Sequence, residues 1–119
     1  EERTENIRRI AEVAKLFKDC GIITFCCFVS PTNQIRKMAQ EIIGQEDFIH
    51  VYIATSLEDC EKRDVKGLYA KARKGEIKNF TGIDSPFEIP DHIDLKIKTQ
   101  KKTVEETVKY LYDYIKQKR

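Results

Sequence analysis

No run of apolar residues in this sequence approaches the ~20 that a membrane-spanning helix needs. The longest, Ile22 to Val29, is interrupted by Thr24. The chain opens with Glu1-Glu2-Arg3, which has nothing of a signal peptide. No C-x-x-C pair occurs among Cys20, Cys26, Cys27 and Cys60, and His50 and His92 are isolated. That spacing argues against a zinc site and leaves no metal-ligating residues to nominate. Free, buried thiols are the expectation, and with them a reducing, cytoplasmic setting. Internal repeats and low-complexity segments are also missing. Charge of one sign is not in excess either, with 22 basic against 20 acidic residues in 119.

What is present suits one soluble domain. Hydrophobic residues make up 40% and charged residues 35%, too apolar for a disordered tail and too polar for a membrane span. The charge is unevenly placed. Between Lys62 and Lys78 seven basic residues face only Asp64 and Glu76. A basic cluster in a nearly neutral chain points to a local anion site, or to a solvated helix face.

Ile7, Ile10, Ala11, Ala14 and Phe17 recur at helical spacing, and Gly21 supplies the stop. Ile22 to Val29 reads as a strand buried on both faces. Ser30 and Pro31 then offer an N-cap and an N1 proline for a helix running towards Gly44. Phe48 to Ala54 reads as a second buried strand. Thr55-Ser56-Leu57-Glu58 matches a capping box for a helix towards Arg63. A helical stretch at Leu68 to Lys74, an irregular segment at Gly82 to Asp91 and a strand at Ile93 to Ile97 follow. A last helix is opened by Thr103 to Glu106 and striped by Val104, Val108, Leu111, Tyr112 and Ile115. Strands alternating with helices imply an α/β fold with a parallel sheet and flanking helices. Three strands make a small sheet, and the first helix has no strand before it. The expectation is therefore a single partial domain over residues 1–119, the C-terminal part of something larger.

Three places invite chemistry. Arg3 and Asn6 extend the apolar face of the first helix as polar groups, unless they are a solvated terminus. Val29 and Ser30 stand at the end of the expected strand, where α/β sheets bind ligands, unless Ser30 is only a cap. Residues 64–84 hold three glycines and five Lys/Arg with Tyr69 and Phe80. That composition suits a mobile flap whose cations meet phosphates and whose aromatic stacks on a base.

The same residues carry a resemblance. R-x-x-N-I-R-R-I-A-E-V-A-K-L-F from Arg3, F-V-S-P at Phe28 to Pro31, R-D-V-K-G-L-Y-A-K-A-R-K-G-E-I-K-N-F-T-G-I-D-S from Arg63 to Ser85 and F-E-I-P from Phe87 are similar to the adenylylsulfate kinase family, in its order and spacing. The resemblance implies a P-loop kinase-like three-layer domain with a nucleotide-covering lid at 63–85. It also implies transfer of the γ-phosphate of ATP, with Mg²⁺, to the 3′-hydroxyl of adenosine 5′-phosphosulfate (APS). The product, 3′-phosphoadenosine 5′-phosphosulfate (PAPS), is the activated sulfate of sulfate assimilation.

By that resemblance Arg3, Asn6, Val29, Ser30, Lys66, Asn79 and Phe80 bind APS, and Ser30 matches a serine described as a phosphoserine intermediate. Arg63 is a candidate for ATP. Lys71 and Arg73 are added as lid cations for the transferring phosphate. A homodimer and a fusion to, or association with, ATP sulfurylase are compatible with it. The chain has no Gly-x-x-x-x-Gly-Lys-Ser/Thr and no D-G-D-N-x-R, so it is expected to be inactive by itself. The alternative is a non-catalytic sulfonucleotide-binding or interaction module. RNA binding ranks last, because few aromatics accompany the cations, and no membrane partner is expected.

Overall fold

A computed structural model describes residues 1–118. The chain divides into two compact units, Glu1–Ile49 with Pro86–Asp91, and residues 50–85 with 92–118.

In the first unit, helix α1 (Glu2–Asp19) forms where the sequence places it, with Ile7, Ala11 and Ala14 buried along one face. Glu2 and Glu5 in its first turn and Lys18 in its last suit the helix dipole. The chain leaves the helix at Gly21 (φ +81°), a left-handed position that glycine adopts without Cβ strain. Helix α2 (Asn33–Ile43) packs on α1 and buries Ile35. The Lys18 ammonium ties the two helices by donating to the Ile43 carbonyl at 2.9 Å.

Two expectations fail here. Ile22 to Val29 is not a strand, and Ile22, Ile23, Phe25, Phe28 and Val29 are about half exposed. A strand needs a neighbour to complete its ladder, and no ladder bond reaches these residues from any described one. Nor does Ser30 cap α2. Thr32 does, its hydroxyl accepting from the Ile35 amide at 3.2 Å. The Pro31 carbonyl instead accepts from the Glu88 amide at 2.7 Å, so Pro31 belongs to a cross-chain loop and not to the first helical turn.

In the second unit, β1 (Val51–Ile53) and β2 (Leu95–Ile97) pair in parallel with Val51 opposite Leu95 and Ile53 opposite Ile97. The expected α/β class with a parallel sheet holds. The expected three strands reduce to two, each shorter than its apolar run, because only these stretches find a partner. Ile97 is the most buried residue at 1% exposure. Asp94 closes one end of the pair, its carboxylate accepting from the His50 amide at 2.7 Å. At the other end the Thr55 hydroxyl accepts from the Thr99 amide at 3.1 Å and meets the Thr99 hydroxyl.

Helix α3 (Leu57–Arg63) is capped one residue later than the sequence suggests. The Ser56 hydroxyl accepts from the Asp59 amide and donates to its carboxylate, so Asp59 stands in for Glu58. Helix α4 (Leu68–Arg73) lies in the basic segment. Helix α5 (Val104–Lys118) begins at Thr103 as expected, but its apolar stripe is mostly uncovered, with Val104 at 74% and Val108 at 57% exposure.

The thiols are free, but Cys20, Cys26 and Cys27 are exposed and Cys60 half-buried, against the expectation of burial. Cys26 and Cys27 follow the uncovered 22–29 segment out to solvent. Among the described residues no helix is long and apolar enough to cross a membrane.

Candidate functional site

Two aspartates brace the basic segment. At its start, Gly67 (φ +68°) turns the chain into α4, a left-handed conformation that disfavours a side chain. The Asp64 carboxylate reaches over that turn and accepts from the Tyr69 and Ala70 amides at 2.9 and 3.0 Å. These are donors that a helix N-terminus leaves unpaired. At the far end, the Asp84 carboxylate accepts from the Asn79 amide at 2.8 Å and the Phe80 amide at 2.5 Å. Those two bonds, Asn79 first, hold the Asp84 carboxyl below its usual range. Tyr69 and Phe80 meet edge to face, 5.0 Å between ring centres at 73°. Both are half-buried.

The cations of this unit differ in their commitments. Arg73 donates twice to the Glu61 carboxylate, at 2.9 and 2.6 Å. Arg63, at the root of the segment, donates to the Thr99 hydroxyl at 2.8 Å and to its carbonyl at 2.6 Å. Lys66 and Lys71 are exposed and have no ion-pair partner among the described residues. The strand ends at Thr55 and Thr99, the foot of α3 and the root of the segment thus converge, at the carboxyl edge where α/β sheets take ligands.

In the first unit, Arg3 and Asn6 are exposed on the opening turns of α1. Neighbouring Arg8 and Arg9 are held by Glu5, at 2.7–3.1 Å, and the same bonds, Arg8 foremost, bring the Glu5 carboxyl down to about 2. An open depression of about 720 Å³ lies here, bordered by Asn6, Arg9 and the carboxylates of Glu1, Glu2 and Glu5.

Val29 is exposed and Ser30 half-buried, and the Ser30 hydroxyl has no hydrogen-bond partner among the described residues. The loop that carries them is fixed by Arg36, a buried guanidinium. It donates to the Ser30 carbonyl at 2.7 Å, the Asn33 side chain at 2.9 Å and the Glu88 carbonyl at 2.7 Å, and stacks over Phe87 at 5.0 Å. Glu88 returns a bond, its carboxylate accepting from the Asn33 amide at 2.8 Å.

The residues singled out from sequence therefore fall in two units. Arg3, Asn6, Val29 and Ser30 belong to one; Arg63, Lys66, Lys71, Arg73, Asn79 and Phe80 belong to the other. Sequence reading missed Arg36, Asp64, Asp84 and Thr99. An aspartate close to glycines in a turn-rich stretch is the recognisable signal for Asp64 and Asp84, since such side chains bond nearby amides. Nothing marks Arg36 out from any surface helical arginine. No group of three or more His, Cys, Asp or Glu that could hold a metal ion occurs among the described residues.

The family description "Adenylylsulphate kinase" matches residues 1–98. The adenylyl-sulfate kinase of Bacteroides thetaiotaomicron is 61% identical over 114 residues, which are 96% of this chain and 57% of that protein. That of Clostridium acetobutylicum is 55% identical over 117 residues, covering 98% and 58%. Among solved structures, the Mycobacterium tuberculosis APS kinase in complex with AMPPNP and APS superposes with a TM-score of 0.89 at 41% identity, covering 96% of this chain and 66% of that one. The chain thus spans a little over half the length of the curated relatives it matches. With the resemblance read from its motifs, the family description over 98 residues and the shared α/β fold in agreement, this chain belongs to the adenylylsulfate kinase family.

Proposed function

We propose that the intact protein carrying this chain phosphorylates the 3′-hydroxyl of APS with ATP, and that this stretch supplies its APS-binding and lid part. The 3′-oxygen forms a bond to the γ-phosphorus as the bond to the bridging β–γ oxygen breaks, releasing ADP and a proton and giving PAPS. Such a transfer relies on positioning and on neutralising phosphate charge. The Mg²⁺ that accompanies ATP in such enzymes would offset charge on the phosphates.

The observation that carries the reading is the doubly braced segment 64–85, which presents Phe80 against Tyr69 amid uncommitted lysines. Phe80 stacks on the adenine of APS, with Asn79 at its edge. Lys66 and Lys71 meet phosphate oxygens. Arg73 and Arg63 serve the ATP side, which requires them to exchange Glu61 and Thr99 for nucleotide. Arg3 and Asn6 take the phosphosulfate and ribose. By the family resemblance Val29 and Ser30 contact APS as well.

The test is a coupled assay on the full-length protein, following ADP and PAPS. ATP-dependent formation of PAPS is expected. Phe80→Ala should weaken APS by about 1–3 kcal/mol, the scale of base–aromatic stacking, while leaving ATP nearly unaffected. Absence of PAPS would overturn the activity. Equal losses for both nucleotides would overturn the assignment of Phe80.

A second reading has its own support. The chain lacks a Gly-x-x-x-x-Gly-Lys-Ser/Thr phosphate loop, so these residues alone are suited to holding a sulfonucleotide and not to turning it over.

A further inference from the structure

We propose that Asp84 is a positioning residue for APS, setting the pose of Phe80 from beneath while touching no substrate itself. The inference rests on the reading above, that Phe80 stacks on the adenine.

Residues 79–85 form a closed turn. Asn79 holds φ +56°, a left-handed conformation that asparagine tolerates better than most side chains. That conformation aims two successive amides, of Asn79 and Phe80, to one side, as in the concave anion sites of backbone nests. The Asp84 carboxylate fills the concavity with one oxygen on each amide. The turn is tightened by the Phe80 carbonyl, which accepts from the amides of Ile83, Asp84 and Ser85 at 3.1 Å. It is closed by the Gly82 amide donating to the Ser85 carbonyl at 2.8 Å.

Phe80 is thus held on both sides of its α-carbon, and its ring is located by Tyr69, itself pinned through Asp64. A ring fixed before the base arrives loses less freedom on stacking, so affinity follows from preorganisation. Among the described residues, the Asp84 side chain alone bonds these two amides. Removing it frees the left-handed Asn79 to relax and the ring to leave its pose.

The experiment is a double-mutant cycle on the complete, family-length kinase. Asp84→Ala, Phe80→Ala and the pair are compared by calorimetry with APS and with ATP, and by KM and kcat. Asp84→Ala should raise the Kd and KM for APS about 5- to 10-fold while ATP and kcat change less than about twofold. In the Phe80→Ala background it should add less than about twofold, because its effect runs through that ring. Asp84→Asn keeps one acceptor oxygen and should fall between; it carries the cycle if the alanine variant does not fold.

The same penalty in both backgrounds, an equal loss for ATP, or no loss of APS affinity on Asp84→Asn and Asp84→Ala would each overturn the proposal. An unchanged APS affinity in Phe80→Ala alone would instead overturn the stacking assignment on which the proposal rests, and is read separately from the Asp84 variants.

Discussion

Ile22–Val29 and Phe48–Ala54 look alike as sequence, each an apolar run suited to an inner strand. In the structure the first lies open and unpaired, while three residues of the second join Leu95–Ile97 in a parallel pair closed by Asp94 and Thr99. Apolar patterning reports that a stretch is suited to burial. It does not report which neighbour supplies the hydrogen bonds, and in a stretch covering 57% of a relative's length the neighbour need not be included.

The largest effect that would break this contrast is catalytic. The 119-residue chain alone should show no ATP-dependent phosphorylation of APS in a coupled assay with its mass confirmed. Losing even one preorganised electrostatic group costs about 10²–10³-fold, and here a whole phosphate loop is missing from the sequence. Turnover at family rates would mean that the open 22–29 stretch is no gap in the working assembly.

Next in size is packing. Ile97→Ala, at a residue 1% exposed, should cost about 2–5 kcal/mol by denaturant unfolding of this chain. Phe25→Ala, at a residue 63% exposed, should stay within about 0.5 kcal/mol. Similar costs at both positions would erase the distinction between the paired and the open run.

Within the first unit, the loop following the open run is the sharper object. Arg36→Ala removes the donor shared by the Ser30 and Glu88 carbonyls and should cost about 2 kcal/mol in thermal or chemical unfolding. Arg36→Lys should recover only part of it, since an ammonium cannot reproduce the planar fork. Full recovery with lysine would reduce Arg36 to a charge.

The smallest effect is with pH. Asp84 and Asp59 are held below their ordinary value of 3.8, Asp84 by the Asn79 and Phe80 amides and Asp59 chiefly by Ser56. A lowered folded-state value means that the carboxylate stabilises fully above the unfolded value and loses that contribution as pH falls through the folded one. The second unit should therefore keep its stability down to about pH 4 and weaken below it. Asp84→Asn should flatten that acid limb in melts taken from pH 6 to pH 3. An unchanged limb would show that the turn does not depend on the ionised carboxylate.

How much was legible follows from the range of each force. Local signals were read well. The spacing of Ile7, Ala11 and Ala14, the stop at Gly21 and the cap at Thr103 all depend on residues within a turn or two. The parallel class was legible from the alternation of elements. The Ser30 cap was misread because a partner 57 residues on, Glu88, takes the Pro31 carbonyl, and nothing near Pro31 announces it. The thiols at Cys26 and Cys27 were read as buried because their neighbours are apolar, although burial depends on what lies opposite. The composition of the basic segment was legible, but its bracing by Asp64 and Asp84 was not, since an acidic residue in a basic segment reads first as a charge and only second as an acceptor for amides.

The pairing of β1 with β2 brings together residues 44 apart in the chain, as between Thr55 and Thr99. The chain between the two strands, basic segment included, is thus a loop that must close before they can meet. Closing a loop has an entropy that grows only logarithmically, about 0.6 kcal/mol for each doubling of length. Ten residues added to the basic segment would therefore disturb the strand pair by only about 0.2 kcal/mol. The length of that segment is in consequence nearly free to vary while the sheet persists, whereas the turn at 79–85 is not. The pairing is also non-local, so it should form late in folding, after α3 and α4 have shortened the path between its ends.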